Sequence, residues 1–137
     1  MGRVIVTFEL MNYSDVNAVG EGRLTPDKIR RVSLQGVIDT GATRLVLPKS
    51  VVDAIGLPVS GRATVHYGDR SSQKRDMVNN AFVQLLGRGS VFNAIVEPNR
   101  TDALIGAIVM EDLDLIVDCG KNELVPRDPT TITSEIE

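Results

Sequence analysis

Val37-Ile38-Asp39-Thr40-Gly41-Ala42-Thr43, followed almost at once by Leu45-Val46-Leu47-Pro48, is the stretch on which the reading of this chain turns. Two aliphatic residues run into a carboxylate on a tight turn, and a second apolar run leaves it. Asp and Gly suit such a turn because the short carboxylate can accept backbone N–H groups and glycine lets other atoms approach closely. An Asp-Thr-Gly triplet arises by chance in roughly 3% of chains of this size at average composition, and two preceding aliphatic residues lower that about tenfold. The bland reading, an ordinary turn, is therefore the weaker one.

The flanks extend the pattern. Upstream, Arg3 to Met11 sets Val4, Val6, Phe8 and Leu10 against Ile5, Thr7 and Glu9, the period of a strand. Asn12 to Asp27 is polar and contains Gly20, Gly22 and Pro26, which predicts a surface loop, and Arg30 to Ile38 resumes β character. Downstream, Ser50 to Leu57 predicts a short helix with Ser50 as N-cap and Gly56 as its left-handed terminator. Ala63 to His66 and Lys74 to Val78 flank the polar tip Tyr67-Gly68-Asp69-Arg70-Ser71-Ser72, a β-hairpin. A second hairpin is expected from Ala81 to Leu86 and Ser90 to Val96, turning at Gly87-Arg88-Gly89. Ala103-Leu104-Ile105-Gly106 reads as a short strand, Ala107 to Asp112 as a helix, and Leu113 to Val117 with Glu123 to Val125 as a last pair around Gly120-Lys121-Asn122. Residues 1–127 form one domain in this reading, and 128–137 a polar tail expected to be mobile.

Composition narrows the function. A chain of 137 residues, 42% hydrophobic, can bury about two-thirds of its extended surface. With aromatics at 4% its core must be aliphatic, and it offers no stacking platform for single-stranded nucleic acid. Fifteen scattered basic residues against eighteen acidic ones also argue against a nucleic-acid partner. The longest apolar runs, such as Ala103 to Met110, reach about eight residues, whereas a membrane span needs about 20, so no membrane partner is expected. The lone Cys119 and a start without a long apolar leader fit a reducing cytoplasm. One His and one Cys are too few soft ligands for structural zinc, and no metal or cofactor is expected. His66 has no Ser or Cys nucleophile signature beside it, Cys119 has no basic partner, and Asp112, Asp114 and Asp118 read as a cap and a solvated edge.

The ordered set V-I-D-T-G-A-T, L-V-L-P, a hairpin tipped by Y-G-D-R-S-S, A-L-I-G before a helix, and the closing L-I-V-D and L-V-P resembles the retropepsin-like (retroviral-type, single-domain) aspartic protease family, with its bacterial and archaeal members. The resemblance runs from about Arg3 to Arg127. It implies a mainly β fold: a closed or partly closed β-barrel of acid-protease type with one or two short helices and a flap hairpin. Two apolar strands would cross beneath the catalytic turn in a ψ-shaped loop, the second carrying Leu104, Ile105 and Gly106. By the same resemblance Asp39 is the catalytic carboxylate, and Thr40 locks paired turns together. Gly41 and Ala42 support the site where substrate backbone approaches, and Tyr67, Gly68 and Asp69 belong to the flap over substrate. Thr43-Arg44 stand where viral enzymes usually carry acidic residues, and Ala107 where they carry Arg. The two departures agree, because together they remove an ion pair without stranding a buried charge.

Peptide hydrolysis by this route needs one carboxylate to take a proton from water while a protonated neighbour donates toward the carbonyl oxygen. The chain has a single Asp-Thr-Gly, so the second acid must come from another copy around a two-fold axis. Carboxylates about 3 Å apart repel by about 5.5 kcal/mol at an effective dielectric of about 20, which makes the pair share one proton. The activity expected is an aspartic endopeptidase, a homodimer acting on a peptide or protein substrate. The alternative is a non-catalytic dimeric peptide-binding module of the same fold, to which the hydrophilic tip Asp69-Arg70-Ser71-Ser72 lends weight.

Overall fold

In the computed structural model, which describes residues 3–137, the alternating N-terminal stretch becomes strand β1 (Ile5–Asn12). It ends in a helix where a loop was expected. Asn12 is extended (φ −77°, ψ 114°), and its buried side chain accepts the backbone N–H groups of Ser14 and Asp15, which starts α1 (Tyr13–Gly20). No residue of α1 is buried, so the sequence carries no apolar stripe to announce it. The Asn12 amide also donates to the carbonyls of Ile55 and Gly56.

The next elements are β2 (Arg31–Ile38), β3 (Leu45–Pro48) and α2 (Lys49–Ile55). The cap assigned to Ser50 is corrected: the N-cap lies two residues earlier, at Pro48, and no side chain caps the helix. Pro48, at φ −62°, ends the strand and feeds the helix directly. Gly56 closes α2 at φ +69°, as its sequence position requires. The chain continues through β4 (Val59–His66), β5 (Ser72–Leu85), β6 (Arg88–Glu97), β7 (Ala103–Ile105), α3 (Ala107–Asp112), β8 (Leu115–Asp118) and β9 (Glu123–Pro126).

Hydrogen-bonded neighbours run β1-β2-β7-β3-β6-β5, and β5 pairs back onto β1 from Glu9 opposite Gln84 to Asn12 opposite Ala81. The fold is mainly β, a closed six-stranded barrel with few helices. Three-residue β7 lies between β2 and β3, parallel to the first and antiparallel to the second. The two expected hairpins share β5, which stays continuous through a register shift between Val78 and Ala81, with Asn80 at φ +66°. Strand β4 is outside the barrel, paired with the distal half of β5 alone. The interior is aliphatic, with Leu10, Leu45, Leu47, Val83, Leu85, Ile105 and Leu113 fully buried, each worth roughly 1.5–3 kcal/mol of transfer free energy.

Strands β8 and β9 form a separate two-stranded sheet, and here Asp114 departs from the solvated edge expected of it. It is buried at 8% exposure because Arg127 Nε (2.7 Å) and the Thr133 N–H (3.0 Å) supply donors to both its oxygens. The Arg127 bond, and then that of Thr133, hold its carboxyl below the ordinary value. Arg88 donates to the carbonyls of Leu113, Asp114, Asp128 and Thr131. The tail is thus tied to the body as far as Thr133, and 134–137 are exposed. Among the described residues no helix is long and apolar enough to cross a membrane.

Candidate active site

Buried Val37 and half-buried Ile38 bring the chain out of the barrel at Asp39. The Asp39 N–H donates to the Ile105 carbonyl at 3.0 Å, which anchors the turn on β7. Within the turn, the Ala42 N–H bonds the Asp39 carbonyl (3.1 Å) and the Gly41 N–H bonds Asp39 Oδ1 (3.0 Å). The carboxylate is therefore oriented by its own loop while remaining exposed. A Cβ at Gly41 would stand 3.2 Å from that oxygen.

The same loop then caps α3. The carbonyls of Ala42 and Thr43 accept the N–H groups of Ala107 and Ile108, each at 2.9 Å, and take the place of a side-chain cap at Gly106. This contact explains why glycine ends the A-L-I-G stretch. A Cβ at Gly106 would lie 2.5 Å from the Arg44 carbonyl oxygen, 2.7 Å from that of Ala42 and 2.8 Å from the carbonyl carbon of Thr43, all of them backbone.

Asp39 lies at the floor of a cleft of about 890 Å³ with Gly41, Ala42, Val46 and Leu104. One wall carries Ile95, Glu97 and Arg100, and the roof is the β4–β5 hairpin, reaching over from Ala63 to Gly68. The volume falls in the range that ligand sites occupy. Asp39, Gly41, Ala42, Tyr67, Gly68 and Leu104 thus meet around one space. Thr40 is exposed on the turn without lining the cleft, while Ile105 is buried beneath it and Gly106 packs against the loop. Asp69 belongs to the hairpin tip and faces its own turn, where Oδ1 accepts the Ser71 hydroxyl (2.5 Å) and N–H (2.9 Å), in that order the causes that lower its carboxyl. His66, at the rim, has Nδ1 2.8 Å from Ser72 Oγ, and Cys119 is exposed far along the chain.

No protein-family model matches the chain, and a search of curated proteins found no match. Its chemistry is read from the site itself. An exposed carboxylate oriented by its own turn can take a proton from a water in the cleft. Among the described residues no group of three or more His, Cys, Asp or Glu side chains is placed to hold a metal ion.

Sequence reasoning missed the polar cluster that fills the end of the cleft. The Tyr67 hydroxyl donates to Glu97 Oε2 at 2.5 Å, and Arg75 Nε donates to Glu97 Oε1 at 2.6 Å and to the Tyr67 oxygen at 3.1 Å. The Arg75 and Glu97 side chains are only 23% and 13% exposed. Burial first, and then the Glu97 bond, raise the Tyr67 hydroxyl above its ordinary value. The signal for this cluster was strand register. Met77 is opposite Ile95, the last pair of β5 with β6, and continuing that register by two residues brings Arg75 to Glu97, where their side chains meet.

Proposed function

We propose that this chain is an aspartic endopeptidase of retropepsin type that works as a homodimer, with one Asp39 from each copy meeting across a two-fold axis. What carries the reading is Asp39 itself: an exposed carboxylate at the floor of a hairpin-roofed cleft, on a turn pinned by the Ile105 carbonyl and by the close approach at Gly106. In the reaction, the ionised Asp39 takes a proton from water as the water oxygen attacks the peptide carbonyl carbon. The protonated Asp39 of the second copy donates to the carbonyl oxygen, and collapse of the tetrahedral species returns a proton to the departing amine. Exposed Thr40 bonds the facing turn, and Gly41 admits substrate backbone. Val46, Ile95 and Leu104 offer apolar walls to substrate side chains, and Tyr67 with Gly68 excludes bulk water from above.

The test joins assembly to chemistry. Sedimentation should give a dimer, and cleavage of a peptide library should follow a bell between pH 3 and 8, failing when both carboxylates are protonated and again when both are ionised. Asp39→Asn should abolish it, and His66→Gln should leave its shape unchanged. A strict monomer well above micromolar concentration, or equal rates for wild type and Asp39→Asn, refutes the proposal. A second reading, a peptide-binding module without turnover, draws on the polar tip and on Arg44 in the cleft. Tight binding of a statine-type peptide with no cleavage of any substrate would favour it.

A further inference from the structure

We infer that Glu97 is a positioning residue: from the end of β6 it holds the hydroxyl of Tyr67, and through it the tip of the β4–β5 hairpin, down over Asp39, with Arg75 matching its charge. The hairpin has little else to hold it. Strand β4 has no buried residue and, among the described residues, pairs only with β5, whose distal end is exposed as far as Lys74. At about 3.4 Å per residue, Arg62 to His66 carries the tip roughly 17 Å beyond the last barrel-level pair, Gly61 opposite Met77. A two-stranded ribbon of that reach is marginal by itself in water. At the tip, Gly68 is so open that a Cβ there would touch nothing within 4 Å, and Asp69, Arg70 and Ser71 are exposed and bond within the turn. Tyr67 is the tip residue that turns inward, and its hydroxyl ends on Glu97.

Charge explains why the tie takes this form. A carboxylate only 13% exposed beside an apolar wall needs a matching cation, and Arg75, on the hairpin's own strand, provides it at 2.6 Å. Both partners of Glu97 therefore come from the hairpin, one at its tip and one partway down its arm. A bond from a neutral hydroxyl to an ionised acceptor is stronger than a neutral pair, and its loss shifts an open–closed balance by roughly tenfold or more. A peptide entering the cleft has to lift Tyr67 from Glu97, and the bond re-forms when the hairpin closes. Only this last consequence rests on the peptidase reading.

Backbone amide order parameters of the full-length protein, measured without substrate, test the inference. In wild type, residues 64–74 should be as ordered as β1 and β2, near about 0.85, and in Tyr67→Phe and Glu97→Ala they should fall below about 0.6 while β1 and β2 stay unchanged. Glu97→Gln keeps an oxygen that can accept the hydroxyl, so it should restore most of the order lost in Glu97→Ala. A tip that is already disordered in wild type, a tip that stays ordered in both disruptive variants, or an equal loss of order in the barrel overturns the inference. Because no substrate is present, a failure of the peptidase proposal leaves this result standing, and a failure here leaves the role of Asp39 untouched.

Discussion

Replacing Gly106 by alanine puts a methyl group where the structure has backbone. The added carbon would sit 2.5 Å from the Arg44 oxygen and 2.7 Å from the Ala42 oxygen, and neither can swing aside as a side-chain end would. The 42–44 segment must retreat, and the bonds it accepts from Ala107 and Ile108 stretch with it. Overpacking of this kind costs about 1–3 kcal/mol. Two weakened backbone bonds add about 1 kcal/mol each. A loss of about 3–5 kcal/mol is expected, which for 137 residues lowers Tm by roughly 10–17 °C. Urea unfolding followed by circular dichroism, at one fixed protein concentration so that any dimer linkage is constant, reads the difference. Gly68→Ala is the control, since nothing lies within 4 Å of its added carbon and it should stay within about 0.5 kcal/mol of wild type. If Gly106→Ala behaves like that control, the loop is not clamped by the close approach, and the account of how Asp39 is held fails with it.

Asp39→Asn should fold with wild-type stability, within about 0.5 kcal/mol in urea, because the side chain is exposed and its oxygen can still accept the Gly41 N–H; a larger loss would make Asp39 a structural residue. Gly56→Ala should cost about 1 kcal/mol in the same assay, since φ +69° suits glycine, and a neutral result would show that α2 can end otherwise. Asp114 gives a pH signature. Its folded carboxyl lies below the ordinary 3.8, so its stabilising effect is complete above that value and is lost as pH falls through it toward the lowered one. Asp114→Asn should therefore be less stable at neutral pH and show a shallower fall in urea midpoint on acidification; curves that run parallel from pH 3 to 7 would refute the burial account.

Much of the site could be read from residues because its elements are short and their signals local. Aliphatic runs flank Asp39, a glycine ends the run before α3, and two extended arms flank a polar tip. What escaped depends on distant partners. Asn12 caps α1 without an apolar stripe, and Asp114 is buried only because Arg127 and Thr133 reach it. The Arg75–Glu97 pair was hidden by a single residue. Counting outward from Leu85 opposite Arg88 would put Arg75 opposite Pro98, and the bulge between Val78 and Ala81 shifts it onto Glu97. A one-residue slip exchanges the two faces of a strand, so the cleft's polar end could not be foreseen without locating the bulge.

The insertion of β7 between β2 and β3 also governs how the chain is made. Both neighbours are synthesised well before Ala103–Ile105, and at 5–20 residues per second the ribosome takes roughly 3–11 s to pass from Pro48 to Ile105. During that interval the facing edges of β2 and β3 have no partner, and Leu45-Val46-Leu47, buried in the finished barrel, is a bare apolar strand open to pairing with other nascent chains. The seam that fixes Asp39 is thus the last of the barrel's seams to close during translation, and only the β8–β9 pair is synthesised after it.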